Sequence, residues 1–269
     1  MPNITFIRQI GYRKWALRWT RRQIAKRVLK RPSRVTLPTG LTFTAPIGNR
    51  FGSEVLYTAA DVDYGSERFL ASLADGTSDF LDVGAHIGYY TAYLAPLVRN
   101  VYAFEPDPRN FAGLALNLPG NAIHIAAAVS SSSGRLHLDQ TRDSGEISDE
   151  GIAVEAVTID DFAVRTPGLR PLLAKFDIEG HEMAAIAGME QTVKAFQPVI
   201  LTEFGRGGPN TPEALASWLE KHLYKAYAYT ARRRTGVPPR LDIDDLSMRP
   251  MPVKMLFLVP PGLEGLFAP

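Results

Sequence analysis

Cysteine is absent from all 269 residues, which excludes disulfides, thiolate nucleophiles and zinc-cysteine sites. No apolar run approaches the roughly 20 residues that a helix needs to cross a bilayer. Histidine is sparse. The five, His86, His124, His137, His181 and His222, show no HExxH or other paired ligand spacing, so no metal site is assigned. The most informative absence is acid at the N-terminus: residues 1–34 hold eleven Lys and Arg but no Asp or Glu. The remainder carries nineteen basic and twenty-eight acidic residues, a balance of −9. The overall charge of +2 is therefore the sum of two pieces of opposite sign, and the acidic body argues against a nucleic-acid partner docking there. Length and a 45% hydrophobic content suit one large α/β domain.

What is present centres on residues 80–90, Phe-Leu-Asp-Val-Gly-Ala-His-Ile-Gly-Tyr-Tyr. An apolar segment ending in Asp82-Val83, two glycines four apart and a second apolar run read as buried strand, tight turn and helix start. Gly84 and Gly88 carry no Cβ, so a ligand can approach the backbone of Gly84, Ala85 and His86 closely. Such a turn points to a nucleotide-like cofactor. A second apolar strand, Asn100 to Phe104, ends at Glu105, 21 residues beyond Gly84. An acid so placed can accept hydrogen bonds from a ribose diol. A dinucleotide would want GxGxxG, and His86 stands where the glycine beside the pyrophosphate should be. His86 itself either touches the cofactor or caps the following helix.

Along the chain, residues 6–29 read as a basic amphipathic helix, with Phe6, Ile10, Leu17, Ile24 and Val28 recurring at helical spacing and Pro32 beyond its end. It could lie on an anionic membrane through residues 6–31, serve as an organelle transit segment or a nucleic-acid arm, or pack on the acidic body with its arginines solvated. Charges interrupt every apolar run, which disfavours a signal peptide. An entry hairpin about Pro38-Thr39-Gly40 follows, then a helix-biased stretch over 54–74, in which Glu67 is assigned to solvated surface. Ala122 to Val129 reads as a third strand, Asp139 to Gly151 as a mobile loop, and Val154 to Asp161 as a strand closed by an aspartate that caps the next helix. The expected organisation is residues 1–34 as the N-terminal helix, 35–75 as hairpin and helix, and 76–269 as the cofactor-binding domain.

The second chemically dense stretch is Lys175-Phe176-Asp177-Ile178-Glu179-Gly180-His181-Glu182. Acids emerge where a strand gives way to a loop, on the side of the sheet that Gly84 and Glu105 should face. Asp177, Glu179 and His181 are the candidate general bases, whereas Glu182 is read as a helix cap. The next strand ends at Glu203 and leads into a glycine-rich loop with Arg206; these two are the candidate substrate contacts. Residues 225–229 and 252–259 read as a closing hairpin joined by a charged excursion over 232–245.

Four of these stretches in order, Phe80 to Thr91, Val101 to Pro108 with its Phe-Glu-Pro-Asp turn, Val157 to Phe162 and Lys175 to Glu182, resemble the motifs of the FkbM-like methyltransferases. These are a branch of the class I S-adenosylmethionine-dependent fold. The resemblance spans about residues 54–204, with His86 where the family usually shows Asn. It implies a Rossmann-like, mostly parallel sheet with an antiparallel closing hairpin. By the same resemblance Asp82, Gly84 and Gly88 would line the methionine end of the cofactor, Glu105 would hold the ribose, and the backbone about Ala127 and Ala128 would border the adenine. Asp177, Glu179 and His181 would sit near the methyl group. The implied function is O-methylation of a hydroxyl on a sugar, glycolipid or polyketide-like acceptor by in-line transfer. The chemistry requires no metal, although clustered carboxylates could hold Mg²⁺ with substrate hydroxyls. The competing readings are an RNA or protein methyltransferase that grips its acceptor with the N-terminal helix, and a catalytically silent membrane-associated binding module. The expected location is cytoplasmic, at the periphery of a membrane if the helix binds lipid.

Overall fold

The computed structural model describes residues 7, 10–63, 65–141, 145–203, 210–228 and 255–267. Helix α1 (Tyr12–Gln23) continues as a wider π-type turn over Ile24–Val28. Strands β1 (Ser33–Thr36) and β2 (Thr42–Ala45) then pair antiparallel as a hairpin of their own. The helix-biased stretch is two helices, α2 (Arg50–Thr58) and α3 (Ser66–Ser72), separated by Ala59 and Ala60 in the left-handed conformation. Next come β3 (Asp79–Val83), α4 (Tyr89–Leu94), β4 (Asn100–Phe104), α5 (Phe111–Ala115), β5 (Ala122–Ile125), β6 (Ala128–Val129), β7 (Gly134–Asp139), β8 (Glu146–Ser148) and β9 (Ile152–Val157). The chain closes with α6 (Ile159–Arg165), β10 (Pro171–Phe176), α7 (Glu182–Ala187), α8 (Glu190–Phe196), β11 (Val199–Glu203), α9 (Pro212–His222), β12 (Lys225–Ala228) and β13 (Met255–Val259).

The main sheet has the order β12-β13-β11-β10-β3-β4-β5. Its strands from β11 to β5 run parallel and β13 is antiparallel to both neighbours, so the sheet is Rossmann-like with the anticipated closing hairpin. The charged excursion of that hairpin lies outside the described residues. Residues alternate between two cores, as period-2 side-chain placement requires. Leu81, Phe104, Phe176 and Ile200 pack with Ile186, Val193 and Trp218. Phe80, Val101, Leu173 and Leu201 pack with the entry hairpin and α2 to α4 through Phe43, Val55, Leu70 and Tyr93.

Three expectations need correction. The segment 122–129 is not one strand: β6 leaves the main sheet and pairs with β9 in a four-stranded sheet of order β6-β9-β7-β8. The run read as a mobile loop supplies β8 to that sheet, pairing with β7. The cap of α6 is Thr158, whose hydroxyl accepts from the Asp161 amide at 2.9 Å, while Asp160 accepts from the Gln191 and Thr192 amides.

Glu67 is also misplaced by sequence reasoning, because it is fully buried. Its Oε1 accepts from Tyr89 Oη at 3.0 Å and from the Asp63 amide, its Oε2 has no hydrogen-bond partner among the described residues, and Tyr90 Oη donates to Asp63 at 2.7 Å. Burial, reinforced by the neighbouring Asp63 charge, pushes the Glu67 carboxyl up to about 8. The native state therefore binds a proton that the unfolded chain releases near pH 4.5. Stability falls as pH rises from there to about 8, by at most about 1.4 kcal/mol per pH unit. Glu67→Gln, which cannot ionise, is expected to flatten that slope and to gain most at the alkaline end. Urea midpoints at the two ends of the window check it: a slope equal to that of the unsubstituted protein would contradict the burial argument.

Candidate active site

The strand order reverses between β3 and β10, and open α/β sheets form their ligand crevice outside the carboxyl ends of strands at such a point. A cleft of about 440 Å³ opens there, within the usual size range for small-molecule sites. It is lined by Gly84, Ala85 and His86 after β3, Glu105 after β4, Ala127 and Ala128 at β6, Asp177, Glu179 and His181 after β10, and Glu203 at the end of β11.

Gly84 has φ +79°, and a Cβ there would lie 2.1 Å from the Asp177 carbonyl oxygen. The glycine thus lets the ends of β3 and β10 touch, a demand the ligand-approach reading did not include. His86 follows at φ 51°, a conformation that His and Asn tolerate better than most side chains. Its amide donates to Glu105 Oε2 at 2.7 Å and its ring packs on Phe51, 5.5 Å between centroids. Helix α4 receives no side-chain cap, so capping is not the role of His86. Glu105 Oε1 accepts from the Asp107 amide and from Asn110 Nδ2. Burial pushes this carboxyl up, opposed by the same donors.

Two residues assigned to the cofactor stand behind the cleft wall. Asp82 is fully buried and lies in register with Lys175 on the face that packs on α4; its Oδ2 accepts from Thr91 Oγ1 at 2.6 Å. Alternation turns its side chain into the core rather than toward the strand end. Gly88 faces α5, where a Cβ would meet Leu114 Cδ1 at 2.9 Å, so its lack of a side chain serves helix packing.

Lys175 is a cleft residue that the sequence reading passed over. Buried in β10, its Nζ donates to the Gly84 carbonyl at 3.0 Å and sits 3.3 Å from Asp177 and 3.8 Å from Asp82. Burial alone would drive the ammonium to lose its proton; Asp177 and Asp82 outweigh that and hold its pKa above the ordinary value. The available signal was a lysine between Ala174 and Phe176, since a lysine in an apolar strand is rarely buried without partners. Tyr89, Tyr90, Asn49, Arg50, Phe51 and Glu54 also line the cleft, and nothing local in the sequence marks them.

The loop after β10 is held by Glu182. Its buried carboxylate accepts from the amides of Ile178 (2.8 Å) and Gly180, and from Asn210 Nδ2. The expected cap is therefore a clamp on the loop itself. Under it Glu179 adopts φ 54° and Gly180 φ 99°, and a non-glycine residue held in this region is a conformational cost that surrounding bonds must impose. The result brings Asp177, Glu179 and Glu203 together, with one carboxylate oxygen from each lying within 4.8 Å of the other two. His181 Nε2 is 2.9 Å from Ser130 Oγ, and burial lowers the imidazole pKa below its ordinary value. Arg206 lies outside the described residues.

The cleft combines a glycine-built wall at Gly84, the buried acid Glu105 and the small side chains of Ala127 and Ala128, a lining that fits an adenosyl cofactor. A Rossmann-like sheet with this cleft at its switch point defines an α/β protein that binds a nucleotide-type cofactor. The model of the methyltransferase FkbM domain matches residues 82–226. The hexuronic acid methyltransferase AglP of Haloferax volcanii is 27% identical over 197 residues, 66% of this chain and 82% of that protein. Among solved structures, a methyltransferase FkbM from Methylobacillus flagellatus shares 17% identity at a TM-score of 0.47, over 77% of this chain and 52% of that one. TYW2 of M. jannaschii, solved with AdoMet, shares 16% at 0.44, over 84% of each chain. This chain thus spans about half the length of the solved FkbM protein. It belongs to the FkbM methyltransferase family and is an S-adenosylmethionine-dependent enzyme.

Proposed function

We propose that the enzyme O-methylates a hydroxyl of a carbohydrate acceptor, free or within a glycan. The carrying observation is the convergence of Asp177, Glu179 and Glu203 beside the cofactor wall. Three carboxylates at one place offer acceptors to several hydroxyl donors at once, which suits a polyhydroxylated ring. The sugar-acting relative supports the same acceptor class. The cofactor supplies a methyl group already activated on a sulfonium. The chain's own work is then to align the acceptor oxygen and take its proton. His181 is the group best suited to that proton: it lines the cleft, its neutral form prevails at pH 7 because burial lowers its pKa, and Ser130 holds its ring. Asp177, tied to Lys175, orients rather than accepts.

The test is transfer of labelled methyl from S-adenosylmethionine to a panel of neutral and uronic-acid glycosides, with Mg²⁺ and with chelator. Methylated sugar is the expected product; its absence from every glycoside, with RNA or protein labelled instead, would overturn the reading. Turnover should fall on acidification through a pKa below about 6.5, as the imidazole gains a proton. His181→Gln should lower kcat by roughly 10²- to 10⁴-fold and remove that acid limb. A limb that persists in the variant would move the role to another residue.

A further inference from the structure

We propose that α1 docks the enzyme on an anionic lipid surface through its outward face. Two residues apart on a helix is a rotation of about 200°, and the structure uses that separation. Trp15 and Arg22, seven apart, face the body and are buried. Leu17 and Ile24, each two residues further on, face away and are 53% and 46% exposed; Val28, one turn beyond Ile24, is 71% exposed. The inward side is firmly tied. Arg22 donates to Ser53 Oγ, Ser33 Oγ and the Ala45 and Pro46 carbonyls, and Arg18 donates to the Tyr57 carbonyl at 2.7 Å. The apolar stripe is therefore fixed outward and is not left over from poor packing.

Charge selects the occupant. Arg13, Lys14, Arg21 and Arg27 are exposed beside the stripe, and no acid stands within residues 1–34. A helix with aliphatic side chains on one line and unopposed Lys and Arg beside it matches the boundary between acyl chains and anionic headgroups. A phosphate backbone would engage the arginines but leave Leu17, Ile24 and Val28 without use. No helix among the described residues is long and apolar enough to cross a membrane, so the contact is peripheral. The helix packs on α2, whose Arg50, Phe51 and Glu54 line the cleft. Docking through the outward stripe therefore leaves α1 between the bilayer and α2 and holds that rim about one helix diameter, roughly 10 Å, from the interface. The docking itself does not rest on the acceptor class proposed above.

Flotation of the intact protein with vesicles tests it. Vesicles of phosphatidylcholine with about 30 mol% phosphatidylglycerol should carry the protein, pure phosphatidylcholine should not, and Leu17→Glu/Ile24→Glu should cut the bound fraction roughly ten-fold or more. Arg13→Gln/Arg21→Gln should weaken binding and reduce its salt dependence. Calorimetric binding of S-adenosylhomocysteine should be unchanged in both variants, which shows that they are folded and separates this result from failure of the acceptor assignment. No flotation with anionic vesicles, or flotation indifferent to Leu17→Glu/Ile24→Glu, overturns the proposal. So does a salt-sensitive RNA affinity with no lipid affinity, which would assign the arginines to nucleic acid.

Discussion

Gly84→Ala is expected to unfold or cripple the enzyme, with a loss of roughly 2–5 kcal/mol. Two effects add. The backbone at Gly84 is left-handed, and the new Cβ would lie 2.1 Å from the Asp177 carbonyl oxygen. The obstacle is main chain immediately after the central strand β10, not a flexible side chain, so β3 and β10 must part at their carboxyl ends. That is where the cleft forms, and the lining residues Gly84 and Asp177 move with it. Thermal melting should fall by on the order of 10 °C, and S-adenosylhomocysteine binding, followed by calorimetry, should be lost in whatever remains folded. Near-native stability together with native affinity would mean that the two strands are not in the close contact described.

Lys175→Met should be nearly as damaging, for an electrostatic reason. Removing one member of a buried ion pair leaves the other charge without compensation, a loss of about 3–5 kcal/mol. Asp82 is that other charge: fully buried, with its Oδ1 3.8 Å from Lys175 Nζ and without a hydrogen bond among the described residues. Burial already pushes the Asp82 carboxyl up, and Lys175 is the foremost influence pulling it back. Without the lysine its folded pKa rises further, so the native state keeps a proton that the unfolded chain gives up near pH 4. The defect should be smallest in acid and grow as pH rises toward the shifted pKa. Chemical denaturation of Lys175→Met at about pH 5 and pH 8 reads this directly, and a defect of equal size at both would place the importance of Lys175 in the cleft alone. Asp82→Asn combined with Lys175→Met should recover much of the loss, since the two changes share one interaction.

Much of the catalytic end of the sheet was legible in the sequence because the chemistry there is local. Gly84, Glu105 and Asp177 each follow an apolar strand within one or two residues, and a parallel sheet aligns such strand ends on one edge. Loop function was harder to read. Glu182 was recognisable as a capping acid from its place at a helix start, but not as the clamp on Ile178 and Gly180. Asp82, expected beside the cofactor, has a side chain turned by alternation into a buried network with Thr91 and Lys175, an arrangement that nearby residues do not announce. The reading of Glu67 failed because a carboxylate on an amphipathic stretch is usually solvated, and only its neighbours Asp63, Tyr89 and Tyr90 make burial tolerable.

The sequence by itself determined the cofactor turn, the parallel strands with their terminal acids, and a basic helix free of acid, since each depends on residue type and spacing within a few turns of chain. Only the tertiary structure decided which charges meet. Glu203 joins Asp177 and Glu179, Lys175 bridges Asp82 and Gly84, Ser130 reaches His181, and α1 turns Arg22 inward and Leu17 outward. Those pairings link residues up to 93 apart in the chain, as Lys175 and Asp82 are. They follow from strand order, register and helix rotation, which are settled by burying two apolar sheet faces at once and not by any local signal.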